Sequence, residues 1–453
     1  MEELVLKQEQ FFYTGETKSY EFRMKQLKKL REMISANESA IYQALYEDLN
    51  KSKHEALTTE IGILYGEIDF ALKHLKTWMK DENVPTPLTH KGTSNYIRKE
   101  PYGVTLIIAP WNYPIQLAIA PLIGAIAAGN TVVLKPSELT PNCSNLLHDL
   151  FTQTFDERLI KVVEGGIEAS QQLLAQAFDY IFFTGSTAVG KVVMQAASKH
   201  LTPVTLELGG KSPAIIDQDC QLTYSARRLV WGKLTNAGQT CVAPDYLFVH
   251  EAIKDKFIKQ LKRQIRKMYR KDTLNNKDYV KIVNESHFQR LLGLIDEDKV
   301  VYGGNYDKEN LKIEPTILDG VSWDDDVMEG EIFGPIFPIL TFTDLNEVIT
   351  HIRKHDKPLA LYYFGETKKR EQYVLDNTIS GGVCINDTLY HLGNPYLPFG
   401  GVGPSGIGAY HGKYSFETFS HKRSVLKQPT TFDLPVRYPN STLGKQVAKQ
   451  VFK

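Results

Sequence analysis

The sequence has no excess of charge of either sign: 53 Lys and Arg face 53 Asp and Glu over 453 residues. A net charge of zero leaves no electrostatic footprint for nucleic acid as a main partner. Cysteine is scarce, with four residues at 143, 220, 241 and 384, which excludes a disulfide framework and fits free thiols in a reducing cytosol. Long apolar runs are lacking too. The longest, Leu117 to Ala128, is twelve residues with Pro121 and Gly124 inside it, too short to span a bilayer. The N-terminus, MEELVLKQEQFF, is acidic where an export signal needs a basic region, so a cytoplasmic protein without an integral membrane segment is expected. The chain shows no internal repeat and no low-complexity tract.

What is present is globular in composition. With 42% hydrophobic and 23% charged residues the chain can bury a large core, and its length allows about three domains or two large ones. Residues 20 to 80 carry helical stripes: Leu27, Leu30 and Ile34, then Ile41, Leu45 and Leu49, then Ile61, Leu64, Ile68, Leu72 and Leu75. From residue 104 the period changes to five short β-rich runs, VTLIIAP, NTVVLKP, IKVVEGG, DYIFFTG and PVTLELG, with helical stretches such as Ala188 to Lys199 between them. That alternation predicts an α/β fold whose parallel sheet is covered on both faces, with ligands beyond the carboxyl ends of its strands. The segment VPTPLTHKGTSNYIRKEPYG ahead of it reads as a hairpin or linker. After residue 209 a second α/β pattern follows: AIIDQ, YLFVH, a helix from Ile253 to Tyr269, PTILDG, FPILTF, LALYYF and GGVCIN.

Cys241 stands in Asn236-Ala-Gly-Gln-Thr-Cys-Val-Ala-Pro, among small and polar residues where backbone amides can support a thiolate. The alternative is a buried structural thiol, the reading kept for Cys143, Cys220 and Cys384. Glu207 lies inside an apolar strand, where desolvation would raise its pKa toward that of a general base; the alternative is an ion pair with Lys211. Gly185-Ser-Thr-Ala-Val-Gly190 ends one strand and opens a helix, a place where amides can meet a pyrophosphate or where a tight turn serves packing alone. Lys135 and Glu138 close another strand, beside ribose hydroxyls and phosphates or in a solvated loop. His351 and His355 are spaced i, i+4, but neither a Glu in the motif nor a third ligand accompanies them, so no metal site is expected and a solvated helix face is. The basic run IKQLKRQIRKMYRK carries the stripe Phe257, Leu261, Ile265 and Tyr269, so its charges read as the wet side of a surface helix.

In this order, PWNYP (110–114), KPSE (135–138), FTGSTAVGK (183–191), LELGGKSP (206–213), GQTCVAPDY (238–246), EIFGP (331–335) and LPFGGVGPSG (397–406) resemble the aldehyde dehydrogenases over nearly the whole chain. Thr59-Glu-Ile-Gly62 and the ending GKYSFETFSHKRS look like the class 3 branch, whose members oxidise medium- and long-chain aliphatic and aromatic aldehydes with NAD or NADP and commonly form dimers. The resemblance implies a Rossmann-type dinucleotide-binding domain over 1–206, interrupted near 84–100 by a bridging hairpin. It implies a catalytic domain over 207–406, then a bridging strand and basic tail over 407–453. It makes Cys241 the nucleophile, Glu207 the general base and Asn112, with the Cys241 backbone N–H, the oxyanion donor. Lys135 and Glu138 would meet the adenosine ribose, Gly185 and Ser186 the pyrophosphate, Glu331 and Phe333 the nicotinamide side, with Gly190 at the helix start. No metal is implied. From His421 onward seven Lys or Arg stand against one Asp, and Leu443, Val447 and Val451 are spaced by four, so the tail offers either a weak membrane-surface helix or a solvated end. Two other functions compete at this stage, a non-catalytic protein that keeps the fold and a reductase of activated acyl groups. The intact Cys241, Glu207 and Asn112 favour the dehydrogenase.

Overall fold

The computed structural model describes residues 1–270, 272–433 and 437–451. The chain opens with α1 (Glu2–Tyr13), which the sequence reading did not include; the stripes read over residues 20 to 80 become α2 (Tyr20–Ala36), α3 (Glu38–Leu49) and, after the unread single turn α4 (Lys53–Ala56), α5 (Gly62–Trp78). Leu27, Leu30 and Ile34 on α2, and Leu64, Ile68 and Leu75 on α5, are fully buried in one core. Between α4 and α5 the chain makes a π turn over Leu57–Ile61. The antiparallel pair β1 (Glu82–Asn83) and β2 (Ser94–Pro101) follows, then the strand–helix alternation: β3 (Val104–Ile108), α6 (Gln116–Ala128), β4 (Thr131–Lys135), α7 (Pro141–Thr154), β5 (Ile160–Val162), α8 (Ile167–Leu174), β6 (Tyr180–Thr184), α9 (Thr187–Ser198) and β7 (Val204–Glu207). Every residue of α6 is buried, as expected of a helix that is apolar all round and lies between the helical layer and a sheet.

The second half supplies β8 (Pro213–Ile216), β9 (Tyr246–His250), β10 (Val300–Tyr302), the small pair β11 (Tyr306–Asp307) and β12 (Lys312–Ile313), β13 (Thr316–Leu318), β14 (Ile336–Phe342), β15 (Ala360–Phe364) and β16 (Gly382–Ile385). The chain then returns through β17 (Gly406–Ile407) and β18 (Ser420–Lys427). Among the described residues the first large sheet has the order β17-β7-β6-β3-β4-β5, parallel except for β17, and the second the order β10-β13-β14-β9-β8-β15-β16, parallel except for β10. A third sheet, β1-β2-β18, joins the segment ahead of the first sheet to the end of the chain.

The helix expected from Ile253 spans Lys254–Tyr269 and buries Phe257, Leu261 and Ile265. The tail forms a helix over Thr442–Val451, with Leu443 54% exposed and Val447 half-buried. The side chain of Val451 and residues 452–453, part of the predicted tail, lie outside the described residues. No helix among the described residues is long and apolar enough to cross a membrane.

Candidate active site

The loop that carries Cys241 is strained and heavily tied down. Asn236 (φ 54°) and Ala237 (φ 52°) occupy the left-handed region, which non-glycine residues enter only when their surroundings hold them there. The Asn236 backbone N–H donates to Glu55 Oε1 at 2.6 Å, and its side-chain amide donates to the carbonyls of Asn112 (2.9 Å) and Gln239 (3.0 Å). Gln239 in turn donates to Asn236 O and Lys281 O and accepts from Val283 N, each at 3.0 Å. Gly238 has to be glycine. It has φ 80°, and a Cβ there would stand 2.2 Å from Gly334 O, so this loop and the one bearing Glu331 touch backbone to backbone.

Asn112 reaches the same loop from the carboxyl end of β3. Its amide donates to Gln239 O at 3.1 Å, and Tyr113 OH lies 2.6 Å from Thr240 Oγ1. Only one of the two N–H groups on Asn112 Nδ2 is needed for Gln239, which leaves the other for a ligand oxygen.

Glu207 closes β7, in register with Thr184 on β6 and Gly406 on β17. Both carboxyl oxygens are buried without a partner. Burial therefore pushes its pKa well above the usual carboxylate range. The ion pair with Lys211 that the sequence left open does not form. Lys211 Nζ instead meets Asp245 Oδ2 at 2.6 Å and the carbonyls of Val327 and Gly330 at 3.0 and 2.8 Å, while Asp245 Oδ1 accepts from Ile332 N at 2.9 Å. Lys211 and Asp245 thus clamp the loop on which Glu331 stands. Burial, then the neighbouring Asp245, raises Glu331 to about 8, and its Oε1 is unpartnered. Phe333, at φ 53°, meets Trp111 edge-on with centroids 5.4 Å apart.

The Cys241 thiol is pushed up by burial, then by the negative charge of Glu331, then by that of Glu207. Both carboxyl groups therefore lie within electrostatic reach of the sulfur. Tyr113, Tyr362 and Tyr410 lie within electrostatic reach of the sulfur, Tyr362 OH donates to Val242 O, and the thiol packs against a largely aliphatic cluster that includes Leu234, Val242 and Tyr362. His391 and His411, which sequence reasoning passed over, are pushed by burial down to about 4 and are neutral at pH 7.

Of the residues assigned to a dinucleotide, Lys135, Glu138, Gly185, Ser186 and Gly190 lie at the carboxyl ends of the first sheet, while Glu331 and Phe333 stand ahead of β14 of the second. Lys135, buried at the end of β4, pairs with Glu138 Oε2 at 2.8 Å; partial burial works against the Glu138 charge, but the ammonium prevails and holds its pKa below the usual range. Ser186 caps α9 by accepting from Val189 N, and the first amides of that helix precede its first internal hydrogen bond. A Cβ on Gly190 would stand 2.6 Å from Leu208 Cδ2, which fixes the close approach of α9 to the strand end. A cleft of about 260 Å³, whose lining includes Thr187, Gly210, Lys211 and Glu331, connects the start of α9 with the Glu331 loop. A helix N-terminus, a cleft and an unpartnered carboxyl oxygen at one sheet edge fit the pyrophosphate and nicotinamide-ribose end of NAD(P).

His355 is exposed and His351 half-buried, the wet helix face expected of the HIRKH motif, and His355 also borders the cleft. Both rings stack on Trp323, at 4.8 and 4.7 Å between centroids. Among the described residues no group of three or more His, Cys, Asp or Glu could hold a metal ion.

Residues 8–425 match the model of the aldehyde dehydrogenase family. Over 431 residues the chain is 52% identical to 4,4'-diaponeurosporen-aldehyde dehydrogenase of Staphylococcus aureus, covering 95% of this chain and 94% of the relative. It is 48% identical to the dimeric NADP-preferring aldehyde dehydrogenase of Rattus norvegicus over 92% of both chains. The substrate-bound structure of Staphylococcus aureus AldH superposes with a TM-score of 0.98 at 50% identity, over 100% of this chain and 99% of that one. The Mycobacterium tuberculosis aldehyde dehydrogenase complexed with NAD+ gives a TM-score of 0.81 at 26% identity over 91% and 86%.

Proposed function

Given that the chain belongs to the aldehyde dehydrogenase family and oxidises aldehydes to carboxylic acids with NAD(P), we propose that Cys241 is its nucleophile, Asn112 its oxyanion donor and Glu207 its general base. The observation that carries this reading is Glu207: a carboxyl group with both oxygens buried and unpartnered, within electrostatic reach of the Cys241 thiol, whose loop accepts from the Asn112 amide. A purely structural carboxylate in that position would be an uncompensated cost.

Once the Cys241 thiol has passed its proton through Glu207 to solvent, attack of the Sγ thiolate on the carbonyl carbon turns the aldehyde oxygen into an oxyanion, which accepts from the free N–H of Asn112 and from the Cys241 backbone N–H. When bound, NAD(P) supplies the hydride acceptor. Hydride loss from the tetrahedral carbon leaves an acyl thioester on Sγ. Glu207 then takes a proton from water as the water oxygen attacks the acyl carbon, and collapse releases the acid and returns the thiolate. Lys135 and Glu138 would hold the adenosine ribose, Gly185, Ser186 and Gly190 the pyrophosphate turn, and Glu331 with Phe333 the nicotinamide side. Glu331 is the second reading for the base, since its Oε1 is likewise buried and unpartnered and its carboxyl lies within electrostatic reach of the thiol.

The apolar packing around Cys241 suits medium- or long-chain aliphatic and aromatic aldehydes. A steady-state panel of aldehydes of increasing chain length and aromaticity, each with NAD and NADP, tests this: kcat/KM should rise with apolar size, and a preference for short hydrophilic aldehydes would overturn it.

The domain organisation follows the two large sheets, with the adenosine and pyrophosphate end of the dinucleotide held by the first and the nucleophile and nicotinamide-side residues carried by the second. The third sheet serves assembly. β18 is a mostly exposed edge strand of eight residues and β16 is the half-buried edge of the second sheet, so pairing of one subunit's β18 with the other's β16 would bury both edges in a homodimer. Sedimentation at twice the chain mass is expected, and a monomer at micromolar concentration would contradict it. Four free cysteines agree with a reducing, cytoplasmic setting.

A further inference from the structure

The motif Thr59-Glu-Ile-Gly62 marks a branch of the family in the sequence, yet no step above uses it. In the structure it contains one half of a fully buried ion pair. Lys51 Nζ stands 2.6 Å from Glu60 Oε1, and neither side chain has any exposed surface. The same ammonium donates to Asn112 O at 3.3 Å and lies 4.3 Å from the centre of the Tyr113 ring. The other Glu60 oxygen accepts from the backbone N–H groups of Ile115 and Gln116, at 3.0 and 3.1 Å, where α6 begins. One ion pair therefore grips the backbone at Asn112 and again three and four residues later.

Two observations set this pair apart from ordinary core structure. Glu60 lies within the π turn Leu57–Ile61, and a single π turn between helices inserts a residue and re-aims the side chains after it, a device concentrated at functional sites. The pair is also a poor stabiliser, since apolar residues of the same volume often do as well or better in a core. Its contacts converge on one group. The carbonyl of Asn112 accepts from Lys51 and from Asn236, while the Asn112 amide donates forward to Gln239 O. With the peptide held from behind and one amide hydrogen held in front, the direction of the remaining N–H is set.

We propose that Lys51 and Glu60 are positioning residues that aim the Asn112 amide at the aldehyde oxygen. The inference rests on the oxyanion role given to Asn112 above. It also explains why the pair is ionic: a cation behind the Asn112 carbonyl polarises that peptide and holds it more tightly than a neutral donor would.

The test is a double-mutant comparison. Lys51→Met combined with Glu60→Leu replaces the pair by apolar residues, and is made in the wild-type chain and in Asn112→Ala. The readouts are the single-turnover rate of NADH formation, the NAD dissociation constant and Tm. In the wild-type background the expected result is a folded protein with unchanged NAD affinity and acylation slowed roughly tenfold to a hundredfold, since the donor is misdirected rather than lost. In Asn112→Ala the same replacement should cost less than about threefold, because there is no amide left to aim. Equal losses in both backgrounds would make the pair structural and overturn the inference. A neutral Asn112→Ala would instead overturn the oxyanion assignment itself. Should the apolar pair not fold, Lys51→Arg, which keeps the charges and changes only the donor geometry, gives the same comparison in the same two backgrounds.

Discussion

A Cβ added to Gly209 would stand 2.2 Å from Glu331 Oε2, so the glycine two residues past the proposed base is the space in which the Glu331 carboxyl lies. The two loops at the mouth of the site are fitted to each other at that point. Gly209→Ala should displace Glu331 and slow turnover by roughly ten- to a hundredfold, the loss that follows from about an ångström of misplacement. Trimming Glu331 to Ala in the same chain should recover Tm but not activity. Wild-type turnover in Gly209→Ala would show that the position of Glu331 does not matter to the chemistry.

Cys241→Ala should abolish turnover and leave NAD affinity nearly unchanged, because the adenosine and pyrophosphate groups assigned to the dinucleotide lie on the first sheet and Cys241 ahead of a strand of the second. Isothermal titration with NAD and a steady-state assay measure the two quantities. Residual turnover above a small fraction would rule out a covalent route through this thiol.

Glu207→Gln removes a proton acceptor while leaving the thiol in place. Rapid mixing with aldehyde and NAD should give a burst of NADH near one equivalent per site, then a slow steady rate, with an acyl group on Cys241 in the intact mass. If the base also helps to deprotonate Cys241, the burst itself slows and higher pH restores it. Normal turnover with no trapped acyl group would move the role to Glu331.

Glu138 bears on the choice of cofactor. Its carboxylate, held charged by Lys135, should repel a 2'-phosphate, so Glu138→Gln is expected to raise the ratio of kcat/KM for NADP over NAD by roughly tenfold, the effect of removing about 1.4 kcal/mol of like-charge repulsion. An unchanged ratio would remove Glu138 from the ribose.

Glu55 titrates in the physiological range. Burial outweighs the nearby Lys51 and raises it from 4.5 to about 7 in the folded protein. A raised carboxyl favours the fold while it is protonated in both states, and that advantage is lost as pH rises from about 4.5 through 7. Glu55→Gln, which can still accept from Asn236 N, should therefore gain stability relative to wild type across that window. Urea midpoints at about pH 5 and pH 8 measure it, and parallel pH profiles for the two proteins would show that Glu55 does not titrate there.

The strands and the motifs at their carboxyl ends were readable in the sequence because each is local: VTLIIAP, TVVL and YIFF are continuous apolar runs, and Cys241, Glu207 and Lys135 stand at or near strand ends. What local pattern could not show was pairing at a distance. Lys211 finds Asp245 instead of Glu207 because the strands YLFVH and AIIDQ are neighbours in the second sheet. Trp323, far from the HIRKH motif in sequence, collects both of its histidines. The pairing of Lys51 with Glu60 could not be read in the sequence, since nothing nearby announces a π turn or the backbone of Asn112 beside it.

The pairing of β17 with β7 has a consequence for the order in which the enzyme can be made. Glu207 lies opposite Gly406, and the nearly 200 residues between them, the whole second sheet among them, are synthesised before that contact can form. Until then the outer edge of β7 is a bare row of amides and carbonyls on a growing chain, the kind of edge that recruits strands from other molecules. This high-separation contact raises the contact order of the first sheet and slows its completion. A ribosome-bound chain halted before residue 406 should therefore hold the Glu207 strand open to protease and prone to aggregate, and release of the last fifty residues should close it.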